Sequence, residues 1–227
     1  MSIQISCIIP FYNEAPRINK TIEKLSRSIY FSQIICVDDG STDNPYIDAK
    51  KYGSRLTLIT LDINKGKSDA IFEGLKKAKQ KLIFIIDADL KELNLTEINV
   101  ACEKMIKNPY IDMLILRSNK AYWTTWISRH DILFSGQRLI KKYDLNQIFQ
   151  LKPQHYEIEI AANSYMIEHK KEVRFSYYSG LNTLKTEKVG FIQGTWNNLK
   201  MLKSILIYEG ITRYLSQVLF FCHRELK

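Results

Sequence analysis

The sequence predicts an α/β protein built on a mostly parallel sheet flanked by helices, and two observations lead to this prediction. Between residues 1 and 116, short apolar runs alternate with stretches whose apolar residues recur at helical spacing. The runs are apolar at nearly every position, which is typical of parallel strands covered on both faces. At 227 residues with 45% hydrophobic residues, the chain is long enough for one domain with a sizeable core. We expect a single domain, 1–227, with a first part at about 1–116 and a second part at about 117–227.

The elements of the first part follow one another at short intervals. Pro10 ends the first β-branched run, and turn residues follow the second. The predicted strands cover 5–9, 34–37, 56–61, 82–86 and 112–116. The predicted helices between them cover about 18–29, 44–52, 71–78 and 93–106.

The second part is less regular. Its pattern predicts helices at about 122–143 and 156–168, a strand at 173–178 and a long helix at about 196–223. In that last helix, Glu209 and Arg213 have the spacing of an ion pair on one helix face. We expect its apolar residues to pack in the core rather than to contact a membrane.

The net charge of +9 is unevenly distributed along the chain. Residues 1–103 hold 14 Lys and Arg against 14 Asp and Glu, whereas residues 104–227 hold 19 against 10. The excess is either a basic solvated surface or the mark of an anionic partner, such as a phosphorylated molecule or an anionic membrane. No nucleic-acid reader motif accompanies the charge, so we expect no nucleic-acid partner.

The cysteines and the N-terminus indicate the compartment. The four cysteines are scattered without the close spacing of a zinc or redox site, so we expect buried thiols in a reducing environment. The chain shows no pattern of a secretory signal peptide and no apolar run near the roughly 18 to 20 residues of a membrane span. We therefore expect a cytoplasmic protein, and peripheral contact with the inner face of the membrane stays open.

Four polar clusters follow the first four predicted strands. They are Phe11-Tyr12-Asn13-Glu14, Asp38-Asp39-Gly40-Ser41, Asn64-Lys65-Gly66-Lys67 and Asp87-Ala88-Asp89. Because ligands of parallel α/β sheets bind at the carboxyl ends of the strands, we expect these clusters to meet at one rim.

The fourth cluster is suited to a metal ion. Asp87 and Asp89 stand one residue apart at the end of a buried strand, and carboxylate oxygens are the ligands that Mg²⁺ and Mn²⁺ prefer. An ion held there can bridge a diphosphate and stabilise its departure. An Asp-x-Asp pair alone is weak support, and its weight comes from the three clusters that precede it.

The four clusters in this order resemble the motifs of the family 2 glycosyltransferases over roughly residues 3–116. The resemblance implies the GT-A fold, a Rossmann-like nucleotide-binding domain, here with an acceptor-side extension that ends in the long helix. It also implies a nucleoside-diphosphate sugar donor, with UDP or GDP left open, and Mg²⁺ or Mn²⁺ as the ion.

The resemblance implies a role for individual residues. Nucleotide-sugar binding would involve Pro10, Tyr12, Glu14, Asp39, Lys67, Asp87 and Ala88. Asp39 would accept a hydrogen bond from the base, and Lys67 would lie near the phosphates or ribose. Asp89 would be the most direct metal ligand, with Asp87 beside it, and both would be catalytic. Asp38 is more simply explained as a turn carboxylate.

A narrower resemblance covers the second part. Arg129-His130-Asp131 and Ser135-Gly136-Gln137-Arg138 resemble the acceptor-side motif of the dolichyl-phosphate mannosyltransferase-like, polyprenyl-phosphate glycosyltransferases. Similar Ser-Gly-x-Arg segments occur in enzymes that glycosylate phosphoglycerate. Tyr156 to Ile160 and Lys188-Val189-Gly190 resemble later segments of the same branch.

The acceptor implied by this branch bears a phosphate. A phosphate is anionic at neutral pH, so it needs cations rather than a general base. Acceptor binding would fall to Arg117, Arg129, Ser135 and Arg138, with Arg129 and Arg138 also counted as catalytic. Each arginine could equally be a surface charge of a helix.

One departure from the branch concerns the metal. Lys91 stands where relatives often carry a metal-assisting Gln, and a charged lysine cannot ligate. Lys91 therefore either weakens metal binding or places a cation beside the diphosphate that partly replaces the ion.

Two alternatives stay open beside a polyprenyl-phosphate acceptor. One is a soluble acceptor, either a phosphorylated small acid or a glycan, and the other is a module that binds nucleotide sugars without catalysis.

Overall fold

The computed structural model describes residues 4–120, 129–155, 157–182, 203–204 and 206–226. Its strands are Ile5–Phe11 (β1), Phe31–Asp38 (β2), Leu56–Thr60 (β3), Leu82–Ile85 (β4), Leu90–Glu92 (β5), Met113–Ser118 (β6), Arg138–Lys141 (β7), Val173–Tyr178 (β8) and Leu181–Asn182 (β9). Seven of them form one sheet in the order β3-β2-β1-β4-β7-β6-β8, and β5 pairs with β9 in a second sheet. All neighbours in the large sheet are parallel except β4–β7 and β6–β7. The predicted fold class, an α/β protein with a mostly parallel sheet, is confirmed.

The helices lie between the strands, as the alternating pattern predicts. They are Ala15–Ser26 (α1), Lys67–Lys77 (α2), Leu95–Lys107 (α3), His130–Leu133 (α4), Lys142–Gln150 (α5), Ile158–Glu168 (α6) and Ile211–Phe220 (α7). Residues 203–204 and 206–209 are also helical, and a 3₁₀ helix covers Ala49–Arg55. The helix predicted at 156–168 is therefore confirmed from Ile158 onward, while Tyr156 lies outside the described residues.

Two apolar cores cover the two faces of the sheet. One contains Ile18 and Ile22 of α1 with Ile98 of α3, and the other contains Ile71 of α2 with Ile148 of α5. Side chains of β1 alternate between the two cores, as expected for a central strand. The four cysteines are free and buried, as predicted.

The helix predicted at about 122–143 is wrong at residues 134–141, while 130–133 and 142–143 are helical. Arg138–Lys141 is a strand, inserted antiparallel between β4 and β6. Leu139 and Ile140 are both fully buried, in opposite cores, so this short segment packs on both of its faces. Pairing with a strand on each side overrides a helical pattern of this length. Residues 121–128 lie outside the described part of the chain.

The long helix predicted at about 196–223 is interrupted. Gly210 has φ 80°, a left-handed conformation that favours glycine, and α7 begins immediately after it and ends at Phe220. Glu209 and Arg213 therefore do not form the predicted helix pair, since Arg213 pairs with Glu168 and Glu209 is buried. Residues 183–202, which include Lys188-Val189-Gly190, lie outside the described part.

The helix predicted at about 44–52 is also wrong in place and kind. The segment forms the 3₁₀ helix at Ala49–Arg55, inside which Gly53 has φ 56°.

Among the described residues, no helix is both long and apolar enough to cross a membrane.

Candidate active site

Strand direction brings the polar clusters to one rim of the sheet. The strands β1, β2, β3, β4, β6 and β8 all run in the same direction, so their carboxyl ends share one edge. Because β7 runs the opposite way, its amino end lies at that same edge, and Arg138 pairs with Ile85 there. The segment 135–137 therefore meets Asp87, which follows β4.

Asp39 organises the loop that leads into α2. Its Oδ1 accepts the backbone N–H of Lys65 at 2.8 Å, and its Oδ2 accepts that of Gly66 at 2.8 Å. Burial raises the pKa of Asp39, while these two hydrogen bonds act in the opposite direction. The carboxylate thus joins the second cluster to the third, and its contact with a base stays a prediction.

A network of short polar contacts joins the first cluster to the second. Asn13 Oδ1 accepts the backbone N–H of Thr42 at 2.8 Å, and the Asn13 N–H donates to Ser41 Oγ at 2.9 Å. Asp38 Oδ1 accepts the backbone N–H of Ser41 at 2.9 Å, which supports the turn role preferred for Asp38. At Gly40, with φ 69°, a Cβ would lie 2.6 Å from the backbone carbonyl carbon of Ile63, so no side chain fits there.

The other residues predicted to line the nucleotide pocket lie around this network. Pro10 is buried in β1, and Tyr12 is 43% exposed just beyond the strand. Glu14 is buried and accepts a hydrogen bond from Arg17 at 2.7 Å. Ala88 is buried, and its carbonyl accepts a hydrogen bond from Thr21 at 3.3 Å.

Lys67 joins two carboxylates that are far apart in the chain. Its Nζ lies 2.5 Å from Asp87 Oδ1 and 2.6 Å from Glu159 Oε1. Burial alone would lower the pKa of Lys67, but the two adjacent negative charges outweigh it and raise that pKa. Lys67 is the first residue of α2, and Glu159 lies in the first turn of α6, so the contact joins both helices to the end of β4.

Gly136 allows the second part of the chain to reach the Asp87 carboxylate. A Cβ on Gly136 would lie 2.2 Å from Asp87 Oδ2 and 2.5 Å from Oδ1, which no real side chain could do. The next residue, Gln137, donates from Nε2 to the same Oδ2 at 3.1 Å. Asp87 is therefore held by Lys67 at one oxygen and by Gln137 at the other.

The two carboxylates at the end of β4 are of the ligand type that a hard divalent cation prefers. Asp89 is partly exposed at the rim, and both oxygens of Asp87 already have hydrogen-bonding partners. The described part of the chain contains no group of three or more His, Cys, Asp or Glu side chains placed to hold a metal ion. An ion at this rim would therefore take further oxygen ligands from a bound diphosphate or water. The Lys91 side chain lies outside the described residues, so its effect on the ion stays a prediction.

Arg138 is buried within the protein. Its guanidinium donates to the carbonyls of Ser135 and Leu133, at 2.7 and 2.8 Å, and to Asn163 Oδ1 at 2.7 Å. Burial lowers the pKa of Arg138 to about 10. This geometry favours a positioning role, in which Arg138 fixes the segment 135–137 against Asp87, over direct contact with an acceptor.

Two more predicted acceptor residues also hold the fold together. The Arg129 guanidinium donates to carbonyls at the end of α7, including those of Val218 and Cys222 at 2.9 and 3.0 Å. Ser135 Oγ donates to the Leu116 carbonyl at 2.8 Å and is buried. Both therefore position the segments on either side of α4.

Arg117 lies at the rim itself. It occupies the carboxyl end of β6 and forms a buried ion pair with Asp131. Its guanidinium carbon lies 5.3 and 5.7 Å from the ring centres of Phe175 and Tyr177. Arg117 and Arg138 both lie at the edge where the clusters meet, since Arg117 lies near the end of β6 and Arg138 begins β7 there.

Sequence reasoning did not assign roles to three residues of this site. Gln137 and Glu159 belong to segments that resemble family motifs. Their spacing in the sequence does not show that Gln137 contacts Asp87 or that Glu159 contacts Lys67. Tyr178 ends β8, and burial, followed by the charges of Asp87 and Asp89, raises its pKa. The position of a polar or aromatic residue at the end of a parallel strand is the signal that could have found Tyr178.

His155 supports the site through its backbone. Its carbonyl accepts both the N–H and the Oγ–H of Ser68 at 2.9 Å, near the start of α2. A Cβ on Gly66 would lie 2.7 Å from the ring of His155, so the loop before α6 packs directly on the lysine-bearing loop.

The family model of glycosyl transferase family 2 matches residues 6–167, and the chain therefore belongs to this family. A Synechocystis glycosyltransferase of uncharacterised activity is 32% identical over 226 residues, which is 96% of this chain and 64% of that protein. The dodecaprenyl-phosphate galacturonate synthase of Rhizobium johnstonii is 31% identical over 98 residues, covering 40% of this chain and 29% of that protein. The chain thus spans less than two thirds of the length of these curated relatives.

Solved structures support the same fold. The glucosyl-3-phosphoglycerate synthase of Mycobacterium tuberculosis, in complex with Mn²⁺, UDP and glucosyl-3-phosphoglycerate, superposes with a TM-score of 0.72 over 92% of this chain and 81% of that chain. At 15% identity, the similarity shows the fold alone. The predicted GT-A fold is confirmed by this match together with the mostly parallel seven-stranded sheet.

The substitution Gly136→Ala tests whether close approach of residue 136 fixes Asp87. The backbone of Gly136 is not left-handed, so alanine adds only a methyl group, and this methyl must displace the carboxylate. We expect metal affinity to fall by about 10- to 100-fold, measured by titration calorimetry with Mn²⁺ and nucleoside diphosphate. The melting temperature of the variant is the control, since a variant that melts as the wild type does reports on the site rather than on folding. Unchanged Mn²⁺ affinity in Gly136→Ala would contradict the assignment.

The substitution Arg138→Met tests the positioning role of that arginine. It leaves buried carbonyls without a donor, so we expect the free energy of unfolding to fall by about 3 kcal/mol in urea titrations. The control Arg213→Met removes an exposed ion pair and should cost less than about 1 kcal/mol. If Arg138→Met kept full stability and lost only acceptor affinity, Arg138 would be an acceptor ligand instead.

Proposed function

We propose that this protein transfers a sugar from a UDP- or GDP-sugar to a phosphate-bearing acceptor, a polyprenyl phosphate. One observation carries the proposal: the Lys67 ammonium and the Asp87 and Asp89 carboxylates lie at the same rim, beside the loop that Asp39 holds. This rim offers oxygen ligands for a divalent ion and a cation for a diphosphate, which are the two requirements of a nucleotide-sugar site.

Each side chain has a defined task in this proposal. Tyr12 and Asp39 bind the base, with Asp39 accepting from the N–H edge that uracil and guanine share. Lys67 supports the negative charge that develops on the leaving diphosphate. Mg²⁺ or Mn²⁺, held by Asp89 with Asp87, would neutralise the same charge. Gln137 and Lys67 orient Asp87 for this purpose.

The acceptor phosphate attacks the anomeric carbon directly, so the product is inverted. A phosphate oxygen is already anionic, and the transfer needs no general base at this centre. Arg117 would bind it, because it lies near the end of β6 at the rim and its guanidinium pairs with the Asp131 side chain, whereas backbone carbonyls hold Arg138. Arg129 and Arg138 act indirectly, by holding the segments that flank α4.

A lipid acceptor is supported by relatives and by charge. The Rhizobium relative is named for a dodecaprenyl-phosphate product, and a dolichyl-phosphate β-glucosyltransferase of Dictyostelium is 33% identical over 103 residues. The whole net charge of +9 lies in residues 104–227, which favours an anionic acceptor at an anionic surface. A location in the cytoplasm, at the inner face of the membrane, goes with this acceptor.

The alternative acceptor is a soluble phosphorylated acid. The M. tuberculosis synthase that shares the fold is named for a glycosylated acid of this kind, glucosyl-3-phosphoglycerate, and both acceptors bear a phosphate. The stereochemistry of the product separates the two, since phosphoglycerate-type enzymes retain the anomeric configuration.

A transfer assay tests the proposal. Labelled UDP-glucose, UDP-galactose, UDP-N-acetylglucosamine and GDP-mannose are offered with Mn²⁺ and either detergent-solubilised polyprenyl phosphate or phosphoglycerate. We expect a polyprenyl-phosphate sugar from one donor, and a loss of at least about a hundredfold in Asp89→Asn. Transfer to phosphoglycerate alone would contradict the proposed polyprenyl-phosphate acceptor. If a donor raised the melting temperature but no sugar were transferred, the protein would be a module that binds nucleotide sugars without catalysis.

A further inference from the structure

Asp89 lies in a turn whose two sides are held by very different amounts of structure. The turn follows β4, which is paired on both sides within the seven-stranded sheet, and β5 begins directly after Asp89. Within the described part of the chain, β9 is the only strand that pairs with β5. An isolated pair of short strands has little stability of its own in water. The position of Asp89 therefore depends on what holds β9.

The segment that carries β9 is anchored to the start of α3. This segment, residues 179–182, is called the strap below. Glu97 Oε2 accepts the backbone N–H of Ser179 at 2.5 Å and the Ser179 Oγ–H at 2.8 Å. Asn94 Nδ2 donates to the same Oγ at 3.3 Å. One carboxylate oxygen thus binds both the main chain and the side chain of the first residue of the strap.

The end of β6 holds the strap from another direction. Ser118 Oγ donates to the Gly180 carbonyl at 2.6 Å. A Cβ on Gly180 would lie 2.0 Å from the ring of Tyr178, so the strap packs directly on this ring. Tyr178 is in turn close to the rim, since its pKa is raised by burial and then by the charges of Asp87 and Asp89. The strap is therefore packed beside the carboxylates whose strand it pairs with.

Helix capping alone does not account for Glu97. A glutamate three residues after the N-cap commonly accepts the backbone N–H of the N-cap residue. In α3, Asn94 is the N-cap and its side chain accepts the backbone N–H groups of Thr96 and Glu97. The Glu97 carboxylate instead binds Ser179, 82 residues away in the chain. It therefore serves the strap rather than the first turn of its own helix.

We propose that Glu97 is a positioning residue for the carboxylate of Asp89, acting through the strap and its pairing with β5. That pairing begins at Leu90, so anchoring the strap fixes the chain at the residue next to Asp89. A metal ligand must be held to within about 0.5 Å, and groups that orient it contribute strongly to metal affinity. The inference rests on the proposed function, in which Asp89 binds the ion.

Metal titration of Glu97→Ala tests this role. Calorimetry on the full chain measures Mn²⁺ affinity in the presence of UDP or GDP, and nucleotide affinity without Mn²⁺. We expect Glu97→Ala to lower Mn²⁺ affinity about tenfold or more and to leave metal-free nucleotide binding unchanged. Glu97→Gln, which keeps an acceptor for Ser179, should recover most of the loss. The control Glu103→Ala, which removes an exposed ion pair with Lys107 from the same helix, should bind as the wild type does.

Hydrogen exchange tests the structural step without metal or nucleotide. In Glu97→Ala, the backbone amides of β5 should exchange faster, while those of β4 keep their wild-type protection. Ser179→Ala removes only the side-chain hydrogen bond to Glu97. It should therefore change the exchange of β5 and the Mn²⁺ affinity in the same direction by a smaller amount, so the test does not depend on a single variant.

Four results would overturn the inference. They are unchanged Mn²⁺ affinity in Glu97→Ala, an equal loss of nucleotide affinity with and without Mn²⁺, unchanged exchange of β5, and no recovery in Glu97→Gln, which would assign the effect to charge rather than to hydrogen bonds. A wild type that binds neither UDP nor GDP with Mn²⁺ would contradict the proposed function itself, and the inference with it. The two failures therefore give different results.

Discussion

The contact of Lys67 with Asp87 and Glu159 is the interaction on which the site depends. Three elements meet there: the start of α2, the end of β4 and the first turn of α6. Without the ammonium, two largely buried carboxylates would face each other with no cation between them, and their repulsion would oppose this arrangement. With it, Asp87 has a fixed orientation, and the neighbouring Asp89 lies at the open rim.

The remainder of the site is built outward from Asp87. Gly136 leaves room for the carboxylate, Gln137 binds its second oxygen, and Arg138 anchors the segment that carries both. The same arginine is joined through Asn163 to Gln217 of α7. The orientation of α7 is thus connected by hydrogen bonds to the rim that carries Asp87.

The sequence predicted the first part of the fold well, because its strands and turn residues are local signals and the motifs occur in order. Prediction failed where pairing partners are distant, as at Arg138–Lys141, which becomes a strand only between β4 and β6. It also missed the break at Gly210 and wrongly placed the apolar side chains of Ile211, Leu215 and Leu219 in the core, since a helical pattern does not show which face is buried. The arginines illustrate the same limit: a resemblance to a family motif selected Arg129 and Arg138, but only the fold shows that they bind backbone carbonyls.

We propose that Lys67 serves both as the partner of Asp87 and as the cation that binds a donor diphosphate. Titration calorimetry of UDP, GDP and the corresponding monophosphates, with Mn²⁺, tests it in wild-type protein and in Lys67→Met. We predict that the diphosphate that binds the wild type loses about tenfold or more in affinity, while its monophosphate changes little. Equal losses for both ligands, or no loss for either, in a variant that melts as the wild type does, would contradict the account.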